Sequence, residues 1–309
     1  MDRISTQAAQ QASLLNILNA QSRQTSAQVQ VATGKVASDL KGYGAHADTL
    51  TAVRSLDARM TTHIDNAKAL SSTLTVQDGA LTQAADAAQG ARQAIAEAIA
   101  TGSTEGLMAA LQGKLAQAVD AMNTEYQGRY LFAGGQSSTR PVTAVNLSDL
   151  PVPLSTAAFF ANDQLPASSR LDDNTVVTTG FLASDLGVPL FDALKAVQVL
   201  HAGGSGPLSG SLTPAQTTAL QGVLTSLDTA WDGLNQAVAQ NGVMQNRVST
   251  TQKALTDRQT ALTAVLGDMT EVDMADAVSR LQLAQTALQA STQAFSVLHG
   301  STLLDLLSR

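Results

Sequence analysis

Cysteine is absent from this 309-residue chain, which removes disulfide scaffolds, thiol nucleophiles and zinc sites of the Cys-containing kind. Charge is scarce: 14% of residues are Asp, Glu, Lys or Arg, and the net charge is -7. Duplex nucleic acid needs clustered Lys and Arg to displace phosphate counterions, and no such cluster occurs, so a nucleic-acid partner is not expected. The opening Met1-Asp2-Arg3-Ile4 has neither a basic leader nor an apolar run before a small-residue cleavage site, so no cleaved secretory signal is expected. The run Leu281 to Leu304 has no Asp, Glu, Lys or Arg and is about the length of a membrane span. It is broken by Gln282, Gln285, Gln289 and Gln293, whose amides are costly in hydrocarbon. It reads as a helix in water, and no membrane partner is expected.

Chemistry-bearing motifs are also missing. His46, His63, His201 and His299 lack the one-turn spacing that lets two imidazoles share a metal, and there is no HExxH helix. No GxSxG elbow or Walker loop occurs, and Gly203-Gly204-Ser205-Gly206-Pro207 lacks the Lys that would touch phosphates. Asp172-Asp173 is followed by Asn174 in turn-forming composition and reads as a solvated turn rather than a catalytic pair. Asn146-Leu147-Ser148 fits a glycosylation acceptor and reads as a chance match. The chain is expected not to be an enzyme, with no cofactor and no metal.

Proline divides what is present. All 7 prolines lie between Pro141 and Pro214. Both flanks are therefore free to form long helices, and they are rich in Ala, Leu and Gln, which lose little on entering a helix. Helices are predicted at about residues 50–100, 106–130 and 220–267 as well as at both ends. In the middle, Ala157-Ala158-Phe159-Phe160 and Val176-Val177-Thr178-Thr179 lie between turn signals and predict short strands.

The first helix carries Ile4, Ala8, Gln11, Leu15, Leu18, Ser22, Thr25, Val29, Ala32 and Val36 at alternating four- and three-residue steps, a heptad stripe. The last carries Val278, Leu281, Ala284, Leu288, Ser291, Phe295 and Leu298 in the same way. A second stripe of Leu283, Ala287, Ala290, Ala294, Val297 and Leu304 lies on another side, more than one intramolecular partner would cover. Between Ile4 and Gly34 the only charge is Arg23. Nearly uncharged helices with apolar stripes predict surfaces buried on assembly, centred on Ile4, Leu15, Leu18, Val29, Leu281, Leu283, Leu288, Phe295, Val297, Leu298 and Leu304. Within the segment 220–267, Met244, Val248, Thr251, Leu255, Arg258, Leu262 and Val265 keep the heptad.

The resulting expectation is a mainly α chain: a long coiled-coil and rod bundle formed by both ends, with a small β-containing domain inserted in the middle. The boundaries read from composition are 1–36 with 275–309 for a terminal coiled coil, 37–140 with 215–274 for a helical rod, and 141–214 for an independent appendage.

Arg3-Ile4-Ser5-Thr6 with its Gln-rich helix ending at Thr33-Gly34-Lys35, and Ala284-Gln285-Thr286-Ala287-Leu288-Gln289-Ala290-Ser291 near the other end, resemble the bacterial flagellin family. Tyr130-Leu131-Phe132-Ala133-Gly134-Gly135 resembles the hook-filament junction branch of that family. After Gly34-Lys35 the chain continues Ser38-Asp39-Leu40-Lys41 where the better-known pattern has Asn, Pro and paired Asp, as a divergent branch would. The resemblance implies an axial flagellar component exported unfolded and placed at the hook-filament junction. The partners it implies are another hook-associated protein, flagellin, copies of itself and an export chaperone. Two alternatives remain open at this point: filament flagellin that polymerises by itself, and a membrane-active type III translocator.

Overall fold

The computed structural model describes the backbone of residues 2–172 and 175–307, and the side chains of residue 8 and of residues 11–172 and 175–297. Among the described residues there are six α-helices: α1 (Asp2–Thr33), α2 (Ala47–Thr101), α3 (Leu107–Met122), α4 (Ala183–Ala202), α5 (Pro214–Thr270) and α6 (Met274–Leu307). Two antiparallel hairpins lie between α3 and α4: β1 (Glu125–Tyr126) with β2 (Arg129–Tyr130), and β3 (Ser168–Arg170) with β4 (Val176–Thr178). The proline-free flanks are thus mostly long helices, as composition predicts; β3 and β4 lie in the proline-containing middle, whereas the β1–β2 hairpin lies before Pro141, in the flank expected to be helical. No described helix is long and apolar enough to cross a membrane.

Two compact units divide the chain, Met1–Thr61 with Asp257–Arg309, and Thr62–Thr256. In the second unit α5 presents Leu220, Val223, Leu227, Ala230, Leu234, Ala237 and Asn241 at alternating three- and four-residue steps, all buried. The corresponding row on α2 is small, with Ala84, Ala88, Ala91 and Ala98 around Leu81 and Ile95. These rows share one core with α3, α4 and the loops between them. Close packing of such rows removes apolar surface from water, which is worth about 25 cal/mol per Å².

Two polar side chains interrupt that seam. Gln77 and Asn241 are buried, and Gln77 Nε2 donates to Asn241 Oδ1 at 3.2 Å and to the Thr179 carbonyl at 3.0 Å. Asn241 Nδ2 donates in turn to the Leu74 carbonyl at 3.0 Å and to Asp78 Oδ1 at 3.1 Å. Polar pairs in an apolar seam set register, because slipping one helix leaves both groups unpaired. Asn241→Ala should therefore lower the melting temperature by about 4–8 °C in a calorimetric scan, since orphaned buried partners cost about 1–3 kcal/mol. An unchanged melting temperature would remove this pair from the account.

The chain differs from its expected form in three places. Ala157-Ala158-Phe159-Phe160 is not a strand: Thr156–Phe159 is a 3-10 turn, started by Ser155, whose hydroxyl accepts from the Ala157 amide at 3.3 Å. The helix expected over 106–130 stops at Met122, because Asn123 captures the backbone of Val142 with both ends of its amide, at 2.9 and 3.0 Å. The chain then turns through the β1–β2 hairpin, with positive φ at Gln127 and Gly128 as a two-residue hairpin turn requires.

The third difference is α4, which lies inside the proline-containing segment. Gly187 and Pro189 read as turn signals, yet both lie within this helix. At Gly187 the Phe160 ring occupies the space a Cβ would need, 2.5 Å away. Phe160 in turn packs on Phe191 with ring centroids 5.0 Å apart. Residues 141–214 are not an appendage with a core of their own: Val142, Leu147, Leu150, Phe191 and Leu194 are buried in the same core as α2, α3 and α5.

The candidate assembly surface

The first unit is built on an antiparallel pairing of α1 and α6. Its register is fixed where α1 ends. Gly34 adopts φ +67°, open to glycine without strain, and the backbone of Lys35 then pairs with that of Glu271 in an isolated antiparallel β-bridge. The Val36 amide donates to the Thr270 carbonyl at 2.8 Å, and the Val272 amide to the Gly34 carbonyl at 2.9 Å. Gln30 Nε2 closes the turn on the Val36 carbonyl at 2.8 Å. On the other side Asp273 caps α6, its Oδ1 accepting from the Ala275 amide at 2.8 Å.

Each helix buries one row against the other. On α6 the row is Ala277, Leu281, Ala284, Leu288, Ser291 and Phe295, buried or half-buried. It coincides with the first stripe read from the sequence, apart from Val278, which is exposed. On α1 the covered row is Ser13, Ile17, Ala20, Gln24, Ala27 and Val31, which sequence reasoning missed. It has the same alternation of four and three but lies two residues out of phase with Leu15, Leu18, Ser22, Thr25 and Val29. The signal that distinguishes the rows is size: the alanines of α1 leave room for Leu281, Leu288 and Phe295.

Of the residues singled out beforehand, Leu281, Leu288 and Phe295 come together in the intramolecular seam. Leu15 and Leu18 remain 59% and 53% exposed, and Val29 is also exposed. Leu283 and Val297, on the second stripe of α6, are 71% and 70% exposed. The side chains of Ile4, Leu298 and Leu304 lie outside the described residues. Thus α1 covers its leaner row and turns Leu15, Leu18 and Val29 outwards, while α6 covers its bulkiest row and still leaves Leu283 and Val297 exposed. Burying one such side chain fully is worth about 1.5–3 kcal/mol, and monomeric proteins seldom expose several together.

Charge is as sparse here as the sequence implies. Arg280 pairs with Asp276 one turn earlier on α6. Arg23 makes no ion pair or side-chain hydrogen bond among the described residues. No group of three or more His, Cys, Asp or Glu side chains that could hold a metal occurs among them either. His201 serves its own loop, Nδ1 accepting from the Leu208 amide at 3.2 Å.

The Tyr130 to Gly135 segment has a structural role in the second unit. Phe132 is buried in the core and its carbonyl accepts from the Ala183 amide, 3.0 Å away at the start of α4. Gly134 has φ +65°, and Asp163 Oδ1 lies 2.2 Å from where a Cβ would be. The same carboxylate oxygen accepts from the Gly135 amide at 2.9 Å. A side chain at Gly134 would break this junction.

Among solved structures, the fold is similar to that of a flagellar hook-associated protein from Vibrio parahaemolyticus, with 14% identity and a TM-score of 0.61 over 73% of this chain and 97% of that one. It is also similar to Bacillus cereus FlgL, with 19% identity and a TM-score of 0.56 over 70% and 99%. Xanthomonas campestris FlgL shows 14% identity and a TM-score of 0.54 over 70% and 99%. No curated protein matches by sequence. The sequence does match the bacterial flagellin N-terminal helical region over residues 4–137 and the C-terminal helical region over residues 224–307. Because these two regions take in the paired helices α1 and α6 and most of α2, α3 and α5, the chain belongs to the bacterial flagellin family.

Proposed function

We propose that this chain is a structural axial component of the bacterial flagellum, placed as an adaptor at the hook-filament junction. Its work is mechanical rather than catalytic. The observation that carries the reading is the outward apolar face of the α1–α6 pair, with Leu15, Leu18, Leu283 and Val297 exposed on a chain of the flagellin family. Such a face suits packing among neighbouring subunits. The likeness in fold to hook-associated proteins, over nearly their whole lengths, supports the junction over the filament. On this reading its partners are another hook-associated protein, flagellin and copies of itself, with a chaperone before export. The terminal coiled coil 1–36 with 275–309, flanked by a rod, is the part that assembles.

A deletion strain tests this directly. It should build intact hooks, shed flagellin into the medium and fail to swim. Normal filaments on the deletion strain would sink the proposal.

A further inference from the structure

A groove of about 480 Å³ lies wholly within the unit Thr62–Thr256, apart from the coiled coil and independent of the junction reading. Between Asn66 and Gln77, α2 lines it, the β1–β2 hairpin contributes Tyr126, Arg129 and Tyr130, and β3 contributes Ser168, Ser169 and Arg170. No residue of β4 lines it, so the groove runs along the edge of β3 that β4 leaves open. The β3–β4 ladder fixes what that edge presents. The Thr179 amide donates to the Ala167 carbonyl and the Leu171 amide to the Thr175 carbonyl. By the alternation of an antiparallel ladder, Ser169 is then the next residue bonded to β4, while Ser168 and Arg170 turn their amides and carbonyls away from it. No described residue bonds to those four groups.

The charge of the groove has one sign. Among the described residues no Asp or Glu lines it, in a chain whose net charge is -7. Arg129 Nε donates to Ser137 Oγ at 3.1 Å, which leaves its terminal nitrogens for a ligand. Arg170 makes no ion pair among the described residues, and the nearest acid in sequence, Asp172, accepts from the Thr175 amide at 2.7 Å.

From this we infer that the groove receives an extended acidic segment of a different protein, which adds to β3 as a third strand and sets carboxylates beside Arg129 and Arg170. Strand addition meets the outward groups of Ser168 and Arg170 with backbone donors and acceptors, and alternate side chains supply the selectivity. One charge on an open edge guards it against pairing. Two cations with no acid between them select instead the sign of the strand that pairs, because each guanidinium fork can hold a carboxylate through two parallel hydrogen bonds. The half-buried rings of Tyr126 and Tyr130 offer flat contact area at little cost in side-chain freedom.

A second copy of this chain does not fit. Two β3 edges paired about a twofold axis would bring Arg129 and Arg170 of both copies into one groove with no acid. Nor does another part of the chain supply the strand. Outside the α-helices, the described Asp39, Asp149, Asp163, Asp172 and Asp273 each accept an amide of their own turn. Glu105 lies in the turn before α3, Glu125 is paired in β1, and Glu271 is in the bridge to Lys35. None stands on an unpaired extended segment.

Fluorescence anisotropy on the purified full chain tests the inference with three labelled seven-residue peptides: alternating Val and Glu, alternating Val and Lys, and the Val/Glu peptide with its three central amides N-methylated. The Val/Glu peptide should bind saturably at submillimolar concentration, and the other two at least tenfold more weakly. Arg170→Glu should weaken the Val/Glu peptide at least tenfold, and Arg129→Glu with Arg170→Glu should reverse the preference in favour of Lys. Circular dichroism melting of Arg170→Glu should match the parent, since Arg170 is exposed and its side chain has no described bond to lose; were the variant to unfold, the three peptides on the parent chain still decide. Equal binding of the N-methylated peptide overturns strand addition, and equal binding of the Lys peptide overturns the acidic partner. No saturable binding of the Val/Glu peptide, or its unchanged binding to a folded Arg170→Glu, overturns the inference as a whole. Sedimentation showing that the chain alone dimerises, and that Arg170→Glu abolishes the dimer, would make the occupant a second copy and overturn it as well.

Discussion

Bacteria carrying Leu283→Asp together with Val297→Asp are expected to swim no better than a deletion strain, although the purified variant should melt within about 2 °C of the parent. The two halves of that result have different causes. In the monomer both side chains are about 70% exposed, so replacing them removes little packing, and surface changes of this kind stay within about 0.5 kcal/mol. In an assembly that covers the second stripe of α6, each Asp brings a carboxylate into an apolar interface with no cation opposite. Several kcal/mol per site weakens incorporation by about a thousandfold or more for the pair. Soft-agar motility, immunogold counts at the hook tip and a calorimetric scan together check it. Normal swimming would show that this face stays open in the flagellum, and a large drop in melting temperature would show that it is covered within the monomer.

Hydrogen exchange should divide the free monomer sharply. Amides between residues 14 and 33 and between 275 and 297 are expected to exchange at least about a thousandfold faster than those of α2 around Leu81 to Ile95. The α1 row facing α6 is Ser13, Ile17, Ala20, Gln24, Ala27 and Val31, and it buries too little to hold some twenty residues ordered at about 1–2 kcal/mol each. By contrast Leu81, Ile95, Leu111, Leu115 and Phe191 are fully enclosed in one core. Exchange followed by mass spectrometry on monomer and on isolated flagella gives the comparison, with protection of α1 and α6 rising only in flagella. Equal protection of both units in the monomer would refute the expectation.

The fold was legible wherever one physical signal dominated. Absence of proline and abundance of Ala, Leu and Gln placed the long helices, and the row Leu281, Ala284, Leu288, Ser291 and Phe295 on α6 was read correctly because it contains the largest side chains of that helix. On α1 two heptad rows compete. Reasoning from hydrophobicity favours Leu15, Leu18 and Val29, whereas the structure covers Ile17, Ala20, Ala27 and Val31, because α6 supplies the bulk and α1 must supply the space. Complementarity between two helices is a property of the pair and is not written in either one. The helix α4 was missed for a related reason. Gly187 is there to admit the Phe160 ring, a contact between residues 27 apart, while local reasoning takes Gly and Pro as turns. The expected independence of residues 141–214 failed with it, since α4 is the element that ties this segment into the core.

The stitch between Gly34, Lys35 and Val36 on one side and Thr270, Glu271 and Val272 on the other joins segments more than 230 positions apart. Its formation therefore waits until almost the whole polypeptide is available. Closing so long a loop from an open chain is entropically unfavourable and slow. Within Thr62–Thr256 the long-range links span fewer positions, Gln77 Nε2 reaching Asn241 Oδ1 164 residues on, and outside that stretch Thr61 and Gln259 share a 2.8 Å hydrogen bond. The pairing of α1 with α6 thus draws on residues from both ends of the sequence, and no shorter piece of the chain contains it.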